Sequence, residues 1–126
     1  MSNTQKIAII GSGIAGLVLG NFLRGFNLDF KIFETKKEIN PHEGYGIQLS
    51  TNSIKILNKI GFNNFDKDKF FNPKKVYFKS LNNQKTISEI NINTFNNENE
   101  LYTCLRRSPL LKFSLRQQLL GLQPLP

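Results

Sequence analysis

The sequence predicts an α/β fold that opens with a parallel β–α–β unit, and three observations carry that expectation. A short run rich in isoleucine, Lys6–Ile10 (KIAII), stops abruptly at glycine. A glycine-spaced turn, Gly11–Gly16 (GSGIAG), leads into apolar residues at helical spacing. A second apolar run, Phe30–Glu34 (FKIFE), ends on a carboxylate. Strands covered on both faces carry near-continuous apolar runs rather than alternating ones, so the two runs read as buried parallel strands.

The helix between them is expected from Ile14 to about Arg24, with Leu17, Leu19 or Gly20, and Leu23 on its apolar side and a stop near Gly25. Each glycine of the turn has a mechanical reason. Gly11 permits the tight exit from the strand, Gly13 lets an anionic ligand approach the backbone, and Gly16 lets the helix pack closely on the sheet. Free N–H groups at the start of that helix, around Ser12, Ile14 and Ala15, then face the ligand's phosphates, and the helix dipole favours their charge. Glu34 lies roughly twenty residues beyond Gly13, where a carboxylate accepts hydrogen bonds from ribose hydroxyls. The same carboxylate repels a 2′-phosphate and so disfavours NADP. The segment is thus a Rossmann-type dinucleotide site built from Gly11, Ser12, Gly13, Ile14, Ala15, Gly16, Glu34 and Thr35. FAD and NAD both carry ADP, and this fingerprint suits either.

After a loop with Pro41 and Gly44 comes GYGIQLS, and then TNSIKILNKIG, a short helix. Thr51 or Asn52 is positioned to cap that helix, Ile54, Leu57 and Ile60 form one face, and Gly61 ends it. The series Gly44, Gly46, Ile47, Leu49 and Asn52, closed by Ile60-Gly61, resembles the FAD-dependent aromatic-ring hydroxylases. Salicylate hydroxylase, p-hydroxybenzoate hydroxylase and the ubiquinone-biosynthesis hydroxylases belong to that family. Their pattern is a glycine fingerprint, an acid ending the second strand, and a G-x-G-I-x-L-x-x-N stretch before a helix. A third match lies in LRRSPLLKFSL, which resembles the family's R-x-x-L stretch at Arg107 and Leu110, with Arg106 as the alternative register. The expected local structure there is a strand, Leu101–Arg106, followed by a helix capped by Ser108 with Pro109 first.

The resemblance implies FAD as the cofactor, NAD(P)H as reductant, and O2-dependent hydroxylation of a small, aromatic substrate. It implies that the backbone of Gly46, Ile47 and Gln48 approaches the flavin and that Arg107 lies near the cofactor, where its fork of donors suits phosphate or flavin oxygens. Tyr45 stands closer to a flavin by position than His42, which reads as a loop residue on the surface. The rival readings are an NAD-linked or flavin disulfide oxidoreductase and a non-enzymatic nucleotide-binding remnant. The first rival does not predict GYGIQLSTN, and the redox cysteine pair of the disulfide reductases is absent from the sequence.

The middle of the chain is β-rich. Val76–Ser80 and Lys85–Ile92 around Asn82-Asn83 read as a hairpin, and Thr94–Glu100 as a loop. The expected organisation is therefore a β–α–β core and flavin-side loop over 1–61, a β-rich excursion over 62–106, and a helix returning toward the FAD domain over 107–126. The family's later Asp-Gly and Gly-Asp motifs do not occur in the 126 residues. The ending GLQPLP reads as a break near Gly121, so the expectation is the N-terminal portion of such an enzyme, inactive on its own.

The remaining bulk properties exclude rather than identify. The net charge of +8 is spread over scattered lysines, with no basic helix face or aromatic platform, which reads as a solvated surface and not a nucleic-acid interface. Cys104 stands alone, which fits a reducing, cytoplasmic setting and a small buried residue rather than a nucleophile. The stretch Ile7–Leu23 is interrupted by GSGIAG, which leaves its apolar pieces too short to span a bilayer or to serve as a signal segment. No metal site is expected.

Overall fold

The computed structural model describes residues 7–37, 39–40, 42 and 44–119. In chain order the elements are β1 (Ile7–Ile10), α1 (Ile14–Gly25), β2 (Phe30–Phe33), β3 (Gly46–Leu49), α2 (Thr51–Asn58), β4 (Phe70–Phe71), β5 (Lys75–Lys79), β6 (Thr86–Asn91), β7 (Thr103–Arg106) and α3 (Arg107–Leu119), with three short 3-10 turns between them. The chain divides into two units. One combines residues 1–45 with residues 106–126, and the other is the intervening stretch Gly46–Leu105. Lys6, Pro41 and the ending after Leu119 lie outside the described residues.

In the first unit β1 and β2 pair in parallel, with Ile7 opposite Phe30 and Ile10 opposite Phe33. The expected β–α–β unit is thus present. Helix α1 buries Leu17, Gly20 and Asn21, an i, i+3, i+4 stripe that places one face inward. That helix packs against β2 and α3. On α3, Leu110, Leu111 and Ser114 are fully buried, and each leucine contributes about 1.5–3 kcal/mol by leaving water. The Asn21 side-chain amide donates to the Ser114 carbonyl at 3.1 Å, and the Ser114 hydroxyl donates to the Leu110 carbonyl at 3.0 Å.

Helix α1 stops at Gly25, as expected. Gly25 is still helical, and the left-handed position falls to Asn27, at φ +54. The Leu28 N–H reaches back to the Leu23 carbonyl at 2.9 Å and the Asn27 N–H to the Arg24 carbonyl at 2.9 Å. That pair of bonds satisfies the last carbonyls, and asparagine tolerates the conformation because its short amide bonds locally.

The second unit has two sheets. In one, β7 lies between β3 and β4, and β4 pairs antiparallel to β7 through Phe70–Leu105 and Phe71–Cys104. In the other, β5 and β6 form the expected antiparallel hairpin, with Val76 opposite Ile90 and Tyr77 opposite Glu89. Ile54, Leu57, Phe62, Ile92 and Leu105 are its buried apolar residues. The Phe62, Phe65 and Phe70 rings cluster, with Phe62 stacked on Phe65 at 4.8 Å. Ser50 caps α2, its hydroxyl accepting the Ser53 N–H at 3.4 Å, which corrects the expectation of Thr51 or Asn52. Gly61 follows that helix at φ +93, as its place in the sequence implies. Cys104 is half-buried rather than buried, and desolvation pushes its thiol up. The stretch expected as a loop, Thr94–Glu100, begins inside a 3-10 turn, Ile92–Phe95.

Among the described residues no helix is long and apolar enough to cross a membrane.

Candidate functional site

The first unit assembles its site where β1 and β2 end side by side. The Gly11 N–H donates to the Phe33 carbonyl at 2.7 Å, which ties the turn to the tip of β2. At φ +95 Gly11 occupies the left-handed region that side chains avoid. Gly13 caps α1 in extended backbone, at φ −70, and its carbonyl accepts the Leu17 N–H at 3.0 Å. The N–H groups of the next residues, Ile14, Ala15 and Gly16, begin a helix and have no carbonyl of the helix to bond.

The three glycines differ in what the structure requires of them. Gly11 is needed for its φ. Gly16 is needed for packing, since a Cβ there would lie 2.1 Å from the Gly11 carbonyl oxygen. Gly13 is needed for neither, because its backbone suits any residue and a Cβ there would meet nothing within 4 Å. What remains for Gly13 is open space beside a helix N-terminus.

Glu34 stands one residue beyond β2 and is saturated with donors. Its Oε2 accepts the Ser12 N–H and the Ser12 hydroxyl, each at 2.8 Å. Its Oε1 accepts the Lys36 N–H at 2.9 Å and the Thr35 hydroxyl at 3.2 Å. These bonds favour the ionised form and hold the carboxyl at about 2, below its ordinary 4.5, with the Lys36 N–H contributing most and the two Ser12 donors next. A depressed carboxyl stabilises the fold only while ionised. Its contribution is therefore complete above pH 4.5 and is lost as the pH falls from there toward about 2. Acid unfolding of the wild type and of Glu34→Gln is expected to converge over that window, and parallel curves would show that the four bonds carry no pH-linked stability.

Arg107 opens α3. Its N–H donates to the Tyr45 carbonyl at 3.0 Å. Its aliphatic stem lies against Gly44, where an added Cβ would sit 2.6 Å from the Arg107 Cδ and 3.1 Å from its Cβ. Gly44, at φ +118, thus makes room for this arginine. Because the helix starts at Arg107, Ser108 and Pro109 lie inside its first turn, a correction to the expected cap. Proline is tolerated there because that N–H has no helical acceptor.

A cleft of about 120 Å³ brings Ser12, Gly13, Glu34 and Arg107 together with Lys36, Ile39 and Asn40. Arg106, exposed at the end of β7, is not among its walls. A larger cavity of about 470 Å³ shares Ser12, Glu34, Lys36 and Ile39 with the cleft and runs along Phe30, Lys31 and Ile32 of β2, with Leu17, Leu28 and Leu115 as apolar wall. The two cavities meet at the Ser12–Glu34 pair. They offer cationic side chains, a helix N-terminus and the Glu34 carboxylate, with Asp29 also on the wall of the larger cavity, groups suited to a diphosphate joined to a diol.

Of the other residues singled out in the sequence, Gly46, Ile47 and Gln48 form β3 of the second unit, where the Tyr102 hydroxyl donates to the Gln48 carboxamide oxygen at 2.8 Å. His42 is exposed and so is Tyr45, at 91%. Lys36, Ile39, Asn40 and the Gly44 contact were not legible, although the pair Lys36-Lys37 directly after Glu34 was a signal in plain view. No group of three or more His, Cys, Asp or Glu that could hold a metal occurs among the described residues. A further cavity of about 600 Å³ lies in the second unit, among the phenylalanine cluster and several asparagines, and contains none of the expected site residues.

No family model matches the chain. The FAD-dependent monooxygenase ntnA of Nectria sp is 38% identical over 56 residues, which is 44% of this chain and 7% of that protein. The 3-amino-4-hydroxybenzoate 2-monooxygenase of Streptomyces cremeus is also 38% identical over 56 residues, 44% of this chain and 14% of that enzyme. Among solved structures, the tetrameric form of 2-methyl-3-hydroxypyridine-5-carboxylic acid oxygenase matches with a TM-score of 0.77 at 22% identity, over 97% of this chain and 31% of that one. In sequence the chain is thus similar to FAD-dependent monooxygenases, and in fold to that oxygenase. It spans a small part of the length of each.

Proposed function

We propose that the first unit holds the ADP half of FAD and that the protein works as an FAD-dependent monooxygenase. The open flank of Gly13 carries this reading: neither backbone strain nor packing asks for glycine there, and a diphosphate approaching a helix N-terminus does. The N–H groups of Gly13, Ile14 and Ala15 bond the phosphates, Lys36 and Arg107 offset their charge, and Glu34 accepts the ribose hydroxyls. Ser12 and Thr35 complete the wall around that carboxylate. Gly46, Ile47 and Gln48 are assigned to the flavin end on the strength of the family pattern. FAD, when bound, supplies the redox chemistry; the residues of this unit bind and orient it. NAD(P)H as reductant, O2 as oxidant and a small aromatic substrate complete the proposal.

The test is binding of FAD, FMN and NAD to the chain, read by flavin fluorescence and by thermal shift, since a ligand of the native state raises its stability. FAD is expected to bind and to stabilise, and NAD to do neither. Glu34→Ala is expected to weaken FAD by about 10- to 100-fold, the value of hydrogen bonds to a charged group. FMN lacks the adenosine, so its binding should not respond to that change. Stabilisation by NAD and not by FAD would replace this reading with an NAD-linked one.

A further inference from the structure

The Glu34 carboxylate has no acceptor to spare. An ionised carboxylate offers about four acceptor positions. Here Ser12 fills two of them and Thr35 and Lys36 the others. A ribose hydroxyl that donates to Glu34 therefore has to displace one of the four donors. The two backbone donors are fixed by the path of the chain, which leaves the two hydroxyls.

Those hydroxyls are not equivalent. The Ser12 hydroxyl sits at 2.8 Å, on a residue only 6% exposed. It shares its acceptor oxygen with the Ser12 N–H, so one residue grips Oε2 twice. The Thr35 hydroxyl is longer, at 3.2 Å, and its residue is exposed. For a hydroxyl donor that is well beyond the usual length of about 2.7–2.8 Å, and water can replace what the threonine loses on turning away.

We propose that Ser12 is the positioning residue of this site and Thr35 its removable occupant: a ligand hydroxyl takes the acceptor on Glu34 that the Thr35 hydroxyl holds, while Ser12 keeps the opposite oxygen fixed. The proposal rests on the reading of the site as the seat of an adenosine ribose. It gives two neighbouring hydroxyls, bonded to one carboxylate, effects of opposite sign. Removing Ser12's loosens Glu34 and weakens the ligand. Removing Thr35's clears a competitor and strengthens it. Among the described residues, the charged groups that share these cavities with Glu34 are Lys36 and Arg107 in the small cleft and Arg24, Asp29, Lys31 and Lys37 in the larger cavity.

The experiment measures FAD and FMN binding to the full chain by fluorescence quenching, from pH 8 to pH 4, for wild type, Ser12→Ala and Thr35→Val. Each substitution is then repeated in a Glu34→Gln background. Ser12→Ala is expected to weaken FAD about tenfold, in the range of a hydrogen bond to a charged group. Its binding should also begin to fall at a higher pH than that of the wild type. Thr35→Val is expected to tighten FAD about twofold, the size of a weak exposed bond. In Glu34→Gln both effects should vanish, because both act through the carboxylate. An equal loss from Ser12→Ala in that background would mean a packing role and would overturn the proposal, as would weaker binding by Thr35→Val. If Ser12→Ala does not fold, the sign of the Thr35→Val effect decides alone. If wild type binds no FAD, the adenosine reading fails and this inference with it; if wild type binds and the variants do not move, only the inference fails.

Discussion

Replacing Gly16 with alanine is expected to unfold the first unit. The added carbon would lie 2.1 Å from the Gly11 carbonyl oxygen, 3.2 Å from the Gly11 carbonyl carbon and 3.2 Å from the Ile9 Cγ2. Two of those three atoms are backbone, so no flexible side chain can swing aside. Relief requires α1 to lift from the turn by more than an ångström. That motion would disturb the buried stripe of Leu17, Gly20 and Asn21, which holds the helix inward. Overpacking by a methylene in a tight core costs about 1–3 kcal/mol where side chains can adjust. Here the clash is with backbone, and a loss of at least about 3 kcal/mol is expected, a large share of the roughly 5–15 kcal/mol that holds a domain together. Chemical denaturation followed by circular dichroism checks it. A midpoint within error of the wild type would mean that the turn has slack these contacts do not reveal.

Gly13→Ala should do the reverse. The methyl meets nothing within 4 Å and the backbone is already extended, so the chain is expected to fold with stability changed by less than about 1 kcal/mol. Alanine is a poorer helix cap than glycine, by somewhat under about 1 kcal/mol, but it also narrows the unfolded ensemble, which offsets part of that loss. Affinity is another matter. The methyl would stand where the diphosphate must come against the backbone N–H groups, and FAD binding is expected to fall by about 100-fold or more, as when charged hydrogen bonds are lost together. Two alanines, three positions apart, thus separate folding from binding. If Gly13→Ala binds FAD as tightly as the wild type, the open flank has another cause.

What was legible in the sequence follows from range. The β–α–β unit showed because every part of it is local: a run of isoleucines, glycines at fixed offsets, and an acid at the end of the second strand. The stripe of α1 and the face of α2 showed by period. The helix ends were less legible, because several neighbours can serve as caps and only backbone geometry chooses among them. Asn27, beyond the stop at Gly25, takes the left-handed position, and Ser50 rather than Thr51 or Asn52 caps α2. Strand β4, two residues long, is too short to show any period. The contacts that shape the site are the least legible, since they join distant positions. Gly44 looked like one letter of a pattern, yet it packs on a residue far along the chain. The donors on Glu34 are mostly N–H groups and hydroxyls, which almost any sequence could supply; only the folded turn aims them.

The hydrogen bond from the Arg107 N–H to the Tyr45 carbonyl has a consequence for how such a chain can change over time. It fastens together the residues that flank the excursion from Gly46 to Leu105. An inserted segment whose ends are already pinned charges its host only for closing a loop, and that entropy rises with the logarithm of length, about 0.6 kcal/mol for each doubling. The first unit is therefore almost indifferent to how long the excursion is. Insertions, deletions or a replaced hairpin between Tyr45 and Arg107 can be tried at little thermodynamic risk to Gly11, Gly16 and Glu34, because that bond keeps the two ends of the excursion together in their host.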